Sequence, residues 1–135
     1  MKVFLDTNVL VSAFATRGLC EDVLRLALSE HELLVSEVVL EELKKILGEK
    51  LGVPKRIIAS IEQLLRERTL VPEPADLPDI PVRDPDDLRV LACAIAARAD
   101  VLVTGDQDRL SAAGQSPVLI LDPRGFWTLL RAQAR

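Results

Sequence analysis

Short apolar runs alternate along this chain with longer stretches of helical periodicity. The four runs are KVFL at residues 2–5, ELLV at 32–35, VLVT at 101–104 and VLIL at 118–121. Strands that alternate with helices are joined by crossover connections, which give a parallel sheet covered by helices on both faces. The sequence therefore predicts an α/β fold, in which functional sites form beyond the carboxyl ends of the strands.

The same periodicity predicts the helices that connect these strands. They cover residues 7–15, 20–30, 36–51, 54–68, about 85–98 and 107–112, with a final helix that contains Phe126 and Trp127. The proline-rich stretch VPEPADLPDIPVRDP, residues 71–85, separates the two halves of this pattern. Because neither half has enough strands for its own sheet, we interpret the stretch as a stiff internal loop and residues 1–135 as one domain.

Composition argues against several classes of function. The net charge of −4 disfavours broad electrostatic binding to a polyanion, and three Phe, one Trp and no Tyr make a base-stacking platform improbable. Cys20, Cys93 and His31 lack the spacing of a zinc site. No apolar run approaches the roughly 20 residues of a membrane span, and the N-terminus lacks the features of a secretory signal. We therefore expect a cytoplasmic protein that does not enter a membrane.

Acidic residues follow two of the predicted strands. Asp6 comes directly after KVFL, and Asp106 stands two residues beyond VLVT. Either carboxylate could simply cap the helix that begins after it, since Asp is a favoured N-cap residue. Both, however, lie where the carboxyl ends of parallel strands meet, which is the edge at which such sheets form sites.

Helical spacing distinguishes Glu42 from Glu41. Glu41 has Lys44 and Lys45 at i+3 and i+4, so it is expected on the solvated face and in surface ion pairs. Glu42 has Ile46 at i+4 and leans toward the apolar face, where an unpaired carboxylate is costly. A surface role therefore explains Glu41 but not Glu42.

The same comparison distinguishes Asp87 from Asp86 in RDPDDLRVLACAIAARAD. Asp84 followed by Pro85 predicts the start of a helix. Asp86 has Arg89 at i+3 as a surface partner. Asp87 has apolar residues along its own face and is expected to point inward, although an acid in a first turn also suits the helix dipole.

Four carboxylates are thus expected to converge at one edge of the sheet: Asp6, Glu42, Asp87 and Asp106. Their mutual repulsion would be relieved by a hard divalent cation, and Mg²⁺ or Mn²⁺ suits carboxylate and water ligands. Such ions activate water and stabilise the leaving oxygen in phosphodiester cleavage. The side chains that could orient the carboxylates are Thr7, Asn8 and Thr104. Without metal, the repulsion predicts that Asp6→Asn stabilises the fold.

Four stretches together resemble the PIN-domain ribonucleases, and among them the toxins of VapC-type toxin–antitoxin systems: FLDTNVLVSA, SEVVLEELKKIL, DPDDLRVLACA and DVLVTGDQDRL. The resemblance implies a three-layer α/β/α sandwich with a central parallel sheet. It also implies Mg²⁺- or Mn²⁺-dependent cleavage of RNA, a cognate antitoxin and a homodimer. The family's catalytic metal ligands match Asp6, Glu42, Asp87 and Asp106, and Asp108 could assist or replace Asp106.

Basic residues of the two central helices could hold an RNA backbone, although a solvated face explains them equally well: Lys44, Lys45, Lys50, Lys55 and Arg56. Two other functions stay open. One is a phosphatase with Asp6 as the covalent nucleophile, but Asn8 stands where dehalogenase-type phosphatases place a second aspartate. The other is a catalytically silent module that binds RNA or a partner protein.

Overall fold

The computed structural model describes residues 1–80, 85–111 and 113–133, with the backbone alone at 85–87, 108 and 115. Five strands form one sheet: β1 (Lys2–Leu5), β2 (Glu32–Ser36), β3 (Thr69–Val71), β4 (Val101–Val103) and β5 (Leu119–Leu121). Their order is β3-β2-β1-β4-β5, and every neighbouring pair is parallel. The predicted central parallel sheet is confirmed.

Helices in the described part of the chain cover both faces of the sheet and complete the predicted three-layer α/β/α sandwich. They are α1 (Thr7–Ala15), α2 (Leu19–Glu30), α3 (Glu37–Lys45), α4 (Lys55–Arg66), α5 (Pro85–Ala96), α6 (Gln107–Ser111) and α7 (Pro123–Gln133). A π-helical turn, Ile46–Lys50, follows α3, and a 3₁₀ turn, Ala113–Gln115, precedes β5. Among these helices we find no candidate for a membrane-spanning segment.

Two local features differ from the sequence prediction. The sequence prediction has no strand at β3: Val71 falls in the proline-rich stretch, and residues 69–70 lie between that stretch and the helix predicted over 54–68. In the structure only Val71 of this strand is buried, and Pro72 follows at once. A short strand at the edge of a sheet carries no alternating pattern and tolerates an adjacent proline. The single long helix predicted over 36–51 instead changes to a π-helical turn at Ile46, where Gly48 weakens the α-helical preference.

The core is formed around the two central strands. Val3, Phe4 and all three residues of β4 are 0% exposed, as expected for parallel strands covered on both faces. After β1 the chain builds β2 and β3 outward on one side, and it then returns to β4 on the other side of β1. A reversal of strand order opens a crevice beyond the carboxyl ends of the two strands involved. In this protein that crevice lies beyond β1 and β4.

Candidate active site

Asp6 lies at this crevice and is 0% exposed. It is the N-cap residue of α1, and its Oδ1 accepts a hydrogen bond of 2.7 Å from the backbone N–H of Thr7. Leu5 and Val103 are paired in the parallel ladder, so the residues that follow them are neighbours. Capping therefore occupies one oxygen of Asp6 and leaves Oδ2 directed toward the segment after β4.

Among the described side chains, three donate to Oδ2 of Asp6. Thr104 Oγ1 lies at 2.7 Å and Asn8 Nδ2 at 3.4 Å. The third donor is Nη1 of Arg109, which forms an ion pair with the carboxylate. Helix capping does not require these contacts, and together they fix the orientation of the Asp6 carboxylate.

Glu42 is brought to the same region by α3. Ser36, the last residue of β2, caps α3 through a 3.3 Å hydrogen bond that its Oγ accepts from Val39 N. One turn further on, Oε2 of the partly exposed Glu42 accepts a 3.0 Å hydrogen bond from Thr7 Oγ1. Because Thr7 also donates its backbone N–H to Asp6, it joins the two carboxylates.

Glu41 is exposed, as the helical spacing predicts. The predicted ion pairs of Glu41 were wrong, since it forms none with any residue the structure describes. Lys44 instead reaches across to α4, where its Nζ lies 3.3 Å from Oε2 of Glu62. The π-helical turn lies between α3 and α4, so Lys44 and Glu62 belong to different helices. Spacing within one helix cannot predict such a pair.

The segment after β4 is fastened to α1. The backbone N–H of Gly105 donates to Asn8 Oδ1 at 2.7 Å, and the N–H of Asp106 donates to Thr104 Oγ1 at 3.0 Å. A Cβ at position 105 would lie 3.2 Å from Asn8 Oδ1 and would press on it, so a glycine suits this close approach. These bonds place Asp106, which is partly exposed, beside the Asp6 network.

A cleft of about 310 Å³ opens next to Asp106, and it is lined by Asn8, Val9, Ser12, Cys20, Gly105, Asp106 and Pro123. Burial raises the pKa of the Cys20 thiol, which favours its neutral form at this wall of the cleft. The cleft provides room for a ligand at the exposed end of the network.

Several predicted acids lie outside the described residues. This holds for Asp84 and for the side chains of Asp86, Asp87 and Asp108, although the backbone places Asp87 in the first turn of α5. Arg89, the predicted partner of Asp86, forms a two-point ion pair with Glu73, at 2.5 Å from Nε and 3.1 Å from Nη2. The hydrogen bonds from Arg89 hold the pKa of the Glu73 carboxyl below its usual value.

Arg109 is the participant that the sequence analysis missed. It lies on α6, only three residues beyond Asp106, and is 4% exposed. A single arginine in a five-residue helix has no periodicity that predicts burial. The concentration of acids at this edge was the only sequence signal for a cationic partner.

The donor set can be compared with the needs of a divalent cation. Carboxylate oxygens suit Mg²⁺ or Mn²⁺, and Asp6 and Glu42 supply them at one edge of the sheet. Among the residues whose side chains are described, no group of three or more acidic, His or Cys residues is arranged around a common point. The chemistry of the donors therefore fits such an ion, while Arg109 takes the position beside Oδ2 of Asp6.

The candidate RNA contacts lie on α3, the π-helical turn and α4. Four of them are exposed: Lys45, Lys50, Lys55 and Arg56. Lys44 is half-buried and engaged with Glu62. Four of the five predicted basic side chains thus face solvent.

Solved structures resemble the fold over most of its length. VapBC2 from Rickettsia felis, bound to a promoter DNA fragment, has a TM-score of 0.63 and 22% identity and covers 90% of this chain and 98% of that chain. VapBC-1 from nontypeable Haemophilus influenzae has a TM-score of 0.62 and 21% identity, and the match covers 92% of this chain and 99% of that chain. VapC20 of Mycobacterium tuberculosis, a sarcin–ricin loop cleaving toxin, has a TM-score of 0.60 and 19% identity. The match covers 82% of this chain and 94% of that chain. At these identities the likeness establishes the fold.

The sequence comparison identifies the family. No curated protein sequence matches the chain. The family model for the PIN domain, however, matches residues 2–108 of its 135 residues, a span that contains β1, β4 and the whole Asp6 network except Arg109. The chain therefore belongs to the PIN-domain family.

Proposed function

We propose that this protein is an endoribonuclease that hydrolyses RNA phosphodiester bonds with the help of Mg²⁺ or Mn²⁺. The observation that supports this most is the hydrogen-bonded link from Asp6 through Thr7 to Glu42, which sets two carboxylates at the crevice beyond β1. PIN nucleases generally use divalent metals, and membership of that family supports the same chemistry. The position of this pair beyond the carboxyl end of β1, where ligands bind in parallel sheets, also supports the proposal.

The residues around the crevice would have distinct roles. Asp6 and Glu42 would hold the cation, and Asp87 and Asp106 would complete its ligands, with Asp108 assisting. A bound divalent cation lowers the pKa of water and polarises phosphate oxygens. Thr104 and Asn8 orient Asp6, and Thr7 orients Glu42, so that both carboxylates need little rearrangement before a ligand binds.

RNA would be held by backbone contacts to the exposed basic side chains Lys45, Lys50, Lys55 and Arg56. Lys44 would contribute less, because it is engaged with Glu62. The net charge of −4 makes binding depend on this local cluster rather than on the field of the whole protein.

We further propose that the protein acts in the cytoplasm as the toxin of a type II toxin–antitoxin pair and forms a homodimer. The similar folds of the VapBC complexes and of VapC20 support a cognate antitoxin as the partner. Expression of the chain alone should then arrest growth, and co-expression of its antitoxin should restore it. Undisturbed growth at high expression of the active enzyme would contradict the toxin role without contradicting the nuclease activity.

The nuclease proposal is tested with purified protein and end-labelled RNA. Cleavage should require Mg²⁺ or Mn²⁺, stop in excess EDTA and leave 5′-phosphate and 3′-hydroxyl ends. Glu42→Gln, prepared identically, controls for a contaminating ribonuclease. Undiminished cleavage in EDTA, or 2′,3′-cyclic phosphate ends, would contradict the proposal. RNA binding without turnover in Mn²⁺ would instead favour the catalytically silent module.

The phosphatase alternative has less support. A nucleophilic aspartate must present an oxygen to phosphorus, but Asp6 is 0% exposed and both of its oxygens accept hydrogen bonds. Such bonding suits a carboxylate that is held in place. Trapping of a phosphorylated Asp6 would restore that alternative.

A further inference from the structure

Arg109 and Asp6 form an unusual pair in this molecule. Of all the residues whose side chains the structure describes, only these two are charged and buried, with side chains that are 5% and 0% exposed. Burial of a charge is costly unless the charge is paired, so each side chain makes the burial of the other tolerable. The pair also joins the end of β1 to α6, 103 residues apart in sequence.

The contact is made at the oxygen that faces the crevice. Oδ1 of Asp6 is committed to the backbone of α1, which can release it only by unwinding the helix start. Oδ2 carries Thr104, Asn8 and the guanidinium of Arg109. A cation that binds Asp6 from the crevice must therefore use Oδ2, and it would approach the positive charge of Arg109 directly.

Arg109 is the partner best able to leave. It belongs to a helix of five residues, Gln107–Ser111, whose two ends are exposed. A helix of this length has little stability of its own, since helices shorter than about 12 residues are marginal in water. The long arginine side chain can therefore withdraw without disturbing the sheet.

We propose that Arg109 is an internal counter-cation that occupies the metal position at Asp6 and must withdraw before a divalent cation can bind there. This inference rests on the proposed function, because it concerns the same metal site. Arg109 holds the Asp6 carboxylate in one orientation and pairs its buried charge in the metal-free protein. It also makes metal binding a competition, so that the enzyme is inactive until the cation concentration is high enough to displace the guanidinium.

The test is the affinity for Mn²⁺ alone, measured by isothermal titration calorimetry without RNA. Arg109→Gln removes the competitor and should bind Mn²⁺ about tenfold more tightly than the unmodified protein, a difference of about 1.4 kcal/mol. The matched control is Arg131→Gln, which removes the same charge from the exposed end of α7. That helix begins after β5, at the carboxyl ends of the strands where the site lies. It ends beside His31, which precedes β2 at the opposite, amino-terminal end of the sheet. The control should bind as the unmodified protein does.

A second variant covers the case in which Arg109→Gln does not fold. Arg109→Lys keeps a positive charge beside Asp6, but its ammonium replaces the planar fork of the guanidinium. It should fold and bind Mn²⁺ more tightly than the unmodified protein, because it competes less well. Equal or weaker affinity in Arg109→Lys or in folded Arg109→Gln would overturn the proposal.

The result is separable from the nuclease test. A gain in Mn²⁺ affinity without any RNA cleavage would support the counter-cation role and contradict the nuclease function. Metal-dependent RNA cleavage with unchanged Mn²⁺ affinity in both Arg109 variants would support the nuclease function and contradict the counter-cation role.

Discussion

Thr7 Oγ1 donates a 3.0 Å hydrogen bond to Oε2 of Glu42, and this bond joins the first turn of α1 to the second turn of α3. Thr7 is buried and Glu42 is partly exposed, so the hydroxyl is fixed while the carboxylate could otherwise rotate. The bond selects one orientation of Glu42, with its oxygens at the edge where Asp6 lies. The position of this acid in the candidate site thus depends on a threonine.

Thr7→Val should test that dependence. Valine has nearly the same shape as threonine but no hydroxyl, so the fold should persist while Glu42 loses its fixed orientation. Loss of an orienting partner should lower Mn²⁺-dependent RNA cleavage or Mn²⁺ affinity by about 10- to 100-fold. Thr7→Ser keeps the hydroxyl and should retain most of the activity. A loss in Thr7→Ser without a loss in Thr7→Val would show that packing of the Thr7 methyl group, and not its hydrogen bond, matters.

Glu42→Gln and Glu41→Gln compare an inward with an outward position on α3. Both changes remove one charge from adjacent residues, and only Glu42 contacts the site. We expect Glu42→Gln to lower kcat/KM by about 100-fold or more, since a metal site supplies several kcal/mol of transition-state stabilisation. Glu41→Gln should leave activity nearly unchanged. A similar loss in both would contradict the assignment of faces on this helix.

The corresponding pair on α5 is Asp87→Asn and Asp86→Asn. The sequence predicts that Asp87 points inward with apolar neighbours along its face, whereas Asp86 lies toward solvent. Asp87→Asn should therefore abolish cleavage of labelled RNA in Mn²⁺, and Asp86→Asn should leave most of it. Loss of activity in Asp86→Asn alone would show that Asp86, and not Asp87, is the metal ligand on α5.

Asp6→Asn tests the electrostatics of the site without any substrate. The sequence predicted that this change would stabilise the metal-free protein by relieving repulsion among carboxylates. The ion pair with Arg109 reverses the expectation, because the change now leaves a buried guanidinium without its Asp6 counter-charge. Asp6→Asn should therefore destabilise the metal-free protein by about 3 kcal/mol, the cost of removing one partner of a buried ion pair. Loss of helix capping would not explain this destabilisation, because Asn is as good an N-cap as Asp.

The measurement is urea unfolding in EDTA of Asp6→Asn, Arg109→Gln and the double variant. If the two side chains stabilise each other, the double variant should be more stable than the sum of the single losses predicts, by about 1 kcal/mol or more. Additive losses would mean that the two charges are independent. Stabilisation by Asp6→Asn alone would restore the repulsion argument.

The sequence predicted the strands of the sheet far better than it predicted the contacts between distant side chains. Continuous apolar runs identify strands buried on both faces, so β1 and β4 were found. The strand β3 has no such run, because its sequence TLV begins with a polar residue and is followed by Pro72, and it was not found. Spacing along one helix separated Glu42 from Glu41. It could not find Arg109 against Asp6, or Lys44 against Glu62, because those contacts depend on how distant segments pack.

Arg66 gives a pH-dependent prediction from another such contact. Its guanidinium donates from Nε to Glu62 Oε2 at 2.8 Å on its own helix and from Nη2 to Glu37 Oε2 at 2.9 Å, joining α4 to the start of α3. Hydrogen bonds from Arg66 are the main reason that the pKa values of Glu37 and Glu62 lie below their ordinary value of 4.5. A carboxyl group whose pKa is lower in the folded state stabilises the fold above its unfolded pKa, and this contribution is lost as the pH falls through the folded value.

Arg66→Gln should therefore unfold at a lower urea concentration than the unmodified protein at pH 7, and the difference should shrink as the pH falls below 4.5. The effect should be modest, because the Arg66 and Glu37 side chains are 38% and 48% exposed and solvent screens the pair. Arg25→Gln is the matched control, since Arg25 is 68% exposed and pairs with Glu21 of its own helix. It should show a smaller difference at pH 7. A deficit of Arg66→Gln that persists undiminished at low pH would show that the arginine acts through packing of its aliphatic stem rather than through its charge.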